Sequence, residues 1–267
     1  MYERQVETSR GPVHYWVSEA PDVPGNRPWL FFLHGLSADH RLFDCQIKYF
    51  EGRFPLIVWD APMHGNSRPY QGFSFANCAE DMAVVLDAQG VAACVLVGQS
   101  MGGYNAQHFI KRFPKRVLGF FGIDTASVDP SYYTRSDKWW LHQVGWMSRL
   151  YTYRGLVNGI AKASAVTECG RENMIEMLQA YPKDELCNLL GTVYGALVDE
   201  LTDVPIKCPV QLVLGEGDRI GKMQAYNRVW AEHIGVSLQV IEGAGHNSNA
   251  DAPDAVNVII EGFCRGL

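Results

Sequence analysis

The chain has 267 residues, 47% of them hydrophobic and 19% charged, with a formal net charge of −6; this composition excludes a disordered chain and supplies a sizeable core. With no block of lysine and arginine to neutralise phosphates, a general nucleic-acid binder is excluded. No apolar run approaches the roughly 20 residues that cross a bilayer, and the polar start Met1-Tyr2-Glu3-Arg4-Gln5 is not read as a signal peptide.

In chain order, two strand-like segments, about Glu3 to Thr8 and Val13 to Ser18, flank Arg10-Gly11-Pro12 as a turn. The buried strand Trp29 to Leu33 runs into His34-Gly35 and is followed by a helix from about His40 to Phe50. The strand Leu56-Ile57-Val58-Trp59 leads into Asp60-Ala61-Pro62-Met63-His64-Gly65-Asn66-Ser67. A helix from about Ala76 to Gln89 precedes the apolar run Val91 to Val97, and a helix-compatible segment spans Tyr104 to Phe113. Lys111-Arg112-Phe113-Pro114-Lys115-Arg116 reads as the solvated end of that helix and its turn. Further strands are expected at the apolar segment Val117 to Ile123, at the buried run Pro209 to Leu214 and at the strand-like run Leu238 to Ile241. Strand alternating with helix is the pattern of a mostly parallel sheet covered on both faces. The rhythm breaks over about 126–202, which has no β-branched apolar run and reads as several helices. A single domain is therefore expected, its core formed by 1–125 and 203–267 and its helical cap inserted between them.

The strongest chemical signal is Gly98-Gln99-Ser100-Met101-Gly102-Gly103, a serine flanked by glycines between a strand and a helix. Such a turn can push the hydroxyl into a cleft, because Gly98 and Gly102 permit a sharp bend and a close backbone approach. An aliphatic hydroxyl needs a base within hydrogen-bond reach. Of the eight histidines, His246 is best placed, in Glu242-Gly243-Ala244-Gly245-His246-Asn247 after a strand. Asp218, in Gly215-Glu216-Gly217-Asp218 at the carboxyl end of another buried strand, is the expected orienting acid. Glu216 on the same loop and Asp124 at the end of the Val117 strand are its competitors. His34 is expected to hold its loop by hydrogen bonds rather than to touch substrate. His40, His64 and His142 show no metal spacing, and seven cysteines without a C-x-x-C pair read as reduced, mostly buried thiols of a cytoplasmic protein.

With these segments, the chain resembles the α/β-hydrolase superfamily over nearly its whole length. The loop from Asp60 to Ser67 is similar to that family's D-x-P-G-x-G-x-S loop, with Met63 and His64 where a glycine and a variable residue usually stand. The resemblance implies a mostly parallel, doubly covered eight-stranded sheet. It also implies an oxyanion hole made by the backbone N–H groups of Leu36, in the loop after His34-Gly35, and Met101. Relatives that attack with an aspartate are set aside, because the elbow carries Ser100. The implied reaction is cleavage of a carboxylic ester through an acyl-serine intermediate, without a cofactor or metal.

The inserted region carries many aromatic residues, among them Trp139, Trp140 and Trp146, which are the candidates for the substrate pocket. Most aromatics there should form the cap's own core. A pocket for a small to medium, largely apolar group is expected, with a small-molecule ester as partner. The same triad also serves lactone, thioester, amide and carbon–carbon bond hydrolysis and cofactor-free perhydrolysis, so bond type is open. A ligand receptor keeping a vestigial triad and a partner-binding module are the non-enzymatic alternatives, and a homo-oligomer is left open.

Overall fold

The computed structural model describes residues 1–20 and 27–267. Eight strands form one sheet in the order β1-β2-β4-β3-β5-β6-β7-β8. They are β1 (Tyr2–Thr8), β2 (Gly11–Ser18), β3 (Trp29–Leu33), β4 (Leu56–Trp59), β5 (Cys94–Gln99), β6 (Val117–Ile123), β7 (Val210–Gly215) and β8 (Leu238–Ile241). β2 is antiparallel to both of its neighbours, and every pair from β4 to β8 is parallel. The first hairpin is tighter than the sequence implies. Thr8 pairs with Gly11, so the turn is Ser9-Arg10, and Gly11 opens β2 where a Cβ would stand 2.5 Å from the Pro69 carbonyl oxygen.

The central strands are apolar on both faces, as a sheet covered on both sides requires. Phe31, Leu33, Ile57, Trp59, Cys94, Leu96, Phe120 and Leu212 point into one core, with α2 (Phe75–Ala88), α3 (Met101–Arg112) and α8 (Met223–Ile234). Leu30, Phe32, Leu56, Val58, Val95, Val97, Phe121, Ile123 and Val213 point into the other. That second core is closed by α1 (Asp44–Phe50) and α9 (Pro253–Arg265). The expected first helix begins as a 3₁₀ turn over His40–Phe43, where the Asp39 side chain accepts from the Arg41 N–H.

Between β6 and β7 lie α4 (Arg135–Ser148), α5 (Tyr153–Ser164), α6 (Glu168–Gln179) and α7 (Lys183–Asp199), joined by short links. Thr134, Thr152 and Thr167 cap the first three by accepting N–H bonds, which satisfies donors that a helix start leaves open. Within this region α4 packs most closely on α7. Gly145 and Gly191 meet there, and a Cβ on Gly145 would come within 2.7 Å of the Gly191 Cα.

The tightest contact in the sheet region lies at the start of α3. A Cβ on Gly102 would sit 1.8 Å from the Leu33 carbonyl oxygen, and one on Gly98 would sit 2.6 Å from the Gly102 oxygen. Both obstacles are backbone and cannot swing aside. We predict that Gly102→Ala costs about 3 kcal/mol or more, a fall in melting temperature of roughly 6–12 °C. Differential scanning calorimetry checks it.

Candidate active site

Ser100 sits between β5 and α3 with φ 50° and ψ −115°, a strained conformation for a residue with a Cβ. Its backbone is fixed on both sides: Ser100 N–H donates to the Ile123 carbonyl, and its carbonyl accepts from Gly103 N–H and the Thr125 hydroxyl. Asp218 follows β7 and His246 follows β8, so the three side chains leave the ends of β5, β7 and β8 on the same edge of the sheet, with β6 between the first two.

They meet in one hydrogen-bonded line. The His246 Nδ1 lies 2.8 Å from Asp218 Oδ2, and Nε2 lies 2.8 Å from Ser100 Oγ. The carboxylate can only accept, so the proton is assigned to Nδ1, and Nε2 is free to accept from the serine hydroxyl. Asp218 is itself held by the Ile220 N–H, which donates to its other oxygen at 2.8 Å. Burial pulls the His246 pKa down, but the charge and hydrogen bond of Asp218, joined by the charge of Asp124, outweigh it and raise the imidazole above its ordinary value.

The two competing acids have other partners. Glu216 is exposed and accepts from Gly243 N–H at 3.2 Å. Asp124 is fully buried at φ 47°, with one oxygen accepting from Gly215 N–H at 2.6 Å and the other from Ser248 N–H at 2.9 Å. Gly215 begins the loop to Asp218, and Ser248 follows His246 by two residues. Burial pushes the Asp124 carboxyl up to about 7, against the pull of His246; the Asp218 charge adds to the rise.

Leu36 and Met101 flank Ser100 in the wall of a cavity of about 750 Å³. His34 fastens the loop that carries Leu36: Nδ1–H donates to the Gly35 carbonyl at 2.8 Å, and Nε2 accepts from Ala61 N–H at 2.9 Å. A Cβ at Gly35 would stand 2.1 Å from Gln99 Oε1, so the loop lies directly against the elbow. Met63 takes φ 68° in the loop after β4, the left-handed conformation that a glycine adopts freely. His64 there is fully buried and held near a pKa of 3 by burial and by the neighbouring His34.

A family model for the α/β-hydrolase fold matches residues 28–253. The chain belongs to the α/β-hydrolase fold family. This hydrolase is 23% identical to the 3-oxoadipate enol-lactonase 1 of Acinetobacter baylyi over 91% of both chains. Among solved structures, a thermophilic esterase from Thermogutta terrifontis aligns over 100% of this chain and 99% of its own at TM-score 0.77 and 21% identity. The N-acyl homoserine lactone degrading enzyme Est816 aligns over 97% and 100% at TM-score 0.77 and 24% identity. These structural likenesses speak to the fold, and the family match marks a hydrolytic enzyme.

The hydrolase cavity lies under the inserted helices. From α4 it takes Trp140, Leu141, Val144 and Met147, from α5 Leu156 and Ile160, and from α7 Leu190, Val193 and Leu197. Of the three tryptophans expected in its wall, Trp140 alone lines it. Trp139 and Trp146 lie on the outward face of α4, a correction whose cause is the Gly145–Gly191 contact: it fixes the rotation of the helix and turns those two positions away. Polar groups gather at one rim, where Asp137 accepts from the Lys222 ammonium at 2.7 Å. Burial pushes the Asp137 carboxyl up, but Lys222, then Thr134 and Tyr226, overcome this and hold it well below the usual carboxylate range.

Residues that the motifs did not single out complete the site. Gln99 Nε2–H donates to the His246 carbonyl at 2.8 Å and to Asn247 Oδ1 at 3.2 Å, tying the histidine loop to the elbow. Asp251 accepts from Gly245 N–H on that loop and from Val166 and Thr167 N–H in the α5–α6 link. Among the described residues, Asp39, His40 and Asp60 place ligand-type atoms within 4.8 Å of one another. Those atoms already serve donors: Arg41 forks onto Asp39, and His40 and Asn66 donate to Asp60.

In Asp124→Asn, an amide group would face one of the two N–H donors that the carboxylate now accepts. We predict a stability loss of about 2 kcal/mol, read from the denaturant midpoint. Turnover should fall about tenfold or more as the two loops shift.

Proposed function

We propose that the protein is a serine hydrolase that cleaves a carboxylic ester of a small to medium, largely apolar substrate through an acyl-serine intermediate. The observation that carries this reading is the continuous line from Ser100 Oγ through both His246 nitrogens to Asp218, two contacts of 2.8 Å. It gives a weak nucleophile an acceptor for its proton at the moment of attack.

In the reaction, Ser100 Oγ attacks the ester carbonyl carbon while its proton passes to His246 Nε2. Negative charge builds on the former carbonyl oxygen, which the N–H groups of Leu36 and Met101 would receive. Met101 is the first residue of α3, so the positive end of the helix dipole adds to that stabilisation. Asp218 holds the imidazole tautomer and stabilises the imidazolium, which then protonates the departing alcohol. Water enters, gives a proton to Nε2 and attacks the acyl-serine, and the acid leaves as Ser100 recovers its proton. Leu36, Met101 and His246 all border the cavity, whose mainly apolar wall supports an apolar acyl or alcohol group and whose size lies within the usual range for small-molecule sites.

A second reading, an internal ester, is favoured by the enol-lactonase relative and by the likeness to an enzyme that degrades N-acyl homoserine lactones. The chemistry is unchanged, and both halves of the substrate stay joined in the product. Assaying purified protein on p-nitrophenyl esters of graded acyl length beside lactones of matched size separates the two. Ser100→Ala should lower kcat by roughly 10⁴-fold or more in either case while circular dichroism stays native.

The pH dependence carries a sign. His246 must be neutral to accept a proton, and its pKa is raised, so kcat/KM should fall as pH drops through a value above that of an ordinary imidazole. Asp218→Asn removes the main raising influence. Its acidic limb should move to lower pH while the rate at the plateau falls by roughly 10⁴-fold. An unshifted limb measured on a neutral ester would count against the assignment of Asp218.

A further inference from the structure

The tryptophans that α4 turns outward form part of a larger apolar surface. Trp139 is 56% exposed, Trp146 53%, Leu150 73% and Tyr151 58%, large values for side chains of this size. By helical spacing Arg135, Trp139, His142 and Trp146 share one stripe, and Leu150 and Tyr151 continue it into the turn before α5. The stripe is built rather than frayed: Trp146 Nε1–H donates to Gln143 Oε1 at 2.7 Å, and Trp139 meets Trp140 edge to face at 4.7 Å.

Its charge runs against that of the molecule. The chain carries −6 overall, yet from 135 to 154 it holds Arg135, Lys138, Arg149 and Arg154 against one acid, Asp137, which the Lys222 ammonium already neutralises. Asp184 and Asp199 border the patch and pair with Arg149 and His142 at 3.5 Å. Among the described residues, Arg135, Lys138 and Arg154 have no acid partner within 4 Å. Exposed tryptophan and tyrosine interleaved with unpaired cations match the layered chemistry of an anionic lipid–water boundary, in which aromatic rings sit at headgroup depth and cations meet the phosphates. The patch is also continuous with the cavity, because Trp140 and Tyr151 are at once half-exposed on this face and part of the cavity wall.

We propose that α4 and the turn after it form a docking surface for an anionic lipid interface, from which an apolar substrate enters the cavity beneath without crossing bulk water. The docking half stands on the surface alone; the entry half rests on the hydrolase reading of the cavity.

Co-sedimentation tests the docking half, using the full chain with vesicles of pure phosphatidylcholine or of phosphatidylcholine with one-third phosphatidylglycerol. Two variants accompany it: Trp139→Ser with Trp146→Ser, and Arg135→Gln with Arg154→Gln. All four positions lie outside the cavity wall, so hydrolysis of a water-soluble ester and the circular dichroism should match the parent. The parent should bind the anionic vesicles and release as salt rises, and each double variant should bind about tenfold more weakly or worse. No retention on anionic vesicles at low salt, or equal binding by parent and both variants, overturns the proposal. So does a dimer, seen by light scattering, that the double tryptophan variant dissolves. Vesicle binding by a protein that turns over no ester would defeat the hydrolase reading and leave the docking surface intact.

Discussion

The closeness with which α3 is laid against β3 and β5 sets the geometry of the rim. With Gly102 almost touching the Leu33 carbonyl and Gly98 tucked beneath Gly102, the chain has no room for an ordinary strand-to-helix link, and Ser100 is forced into left-handed backbone. That strain aims the hydroxyl outward and puts the Met101 N–H at the free end of a helix. The strand order then does the assembling. β3, β5, β6, β7 and β8 are successive neighbours, so the loops bearing Leu36, Ser100, Asp124, Asp218 and His246 open side by side at their carboxyl ends.

Three carboxylates near that edge do different work because their surroundings differ. Asp218 meets the imidazole and one N–H, so its charge is directed at a ring nitrogen. Asp124 meets only backbone donors, one from each loop that carries the other two charged partners, and is buried deeply enough to be hard to ionise. Asp251 meets donors from the histidine loop and from the inserted helices together. Chemical identity alone does not separate such roles; the number and kind of donors around each group do.

Much of this could be read before any coordinates. The apolar runs at Trp29–Leu33, Leu56–Trp59 and Val117–Ile123 coincide with inner strands, where burial on both faces favours apolar residues, while Leu238–Ile241 coincides with the edge strand β8, in which Gln239 and Val240 are exposed. Ser100 was legible because its turn demands glycines at fixed offsets. The face of α4 was not legible. Which tryptophans border the cavity depends on where α7 lies, and that is set by a glycine contact 46 residues apart in sequence, Gly145 with Gly191. The work of Asp124 was hidden for a similar reason, since its donors at 215 and 248 come from distant loops. The first hairpin was misjudged locally, where Gly11 serves a close approach to Pro69 rather than the bend itself.

The carboxylate of Asp251 is shared between two parts of the fold. One oxygen accepts from both Gly245 and Val166, while the other accepts from the Thr167 N–H and hydroxyl. The segment preceding His246 and the link between α5 and α6 are thus moored to a single post. Any swing of the helices overhead either severs those bonds or drags the imidazole with it, so the position of the roof and that of the ring are geared together.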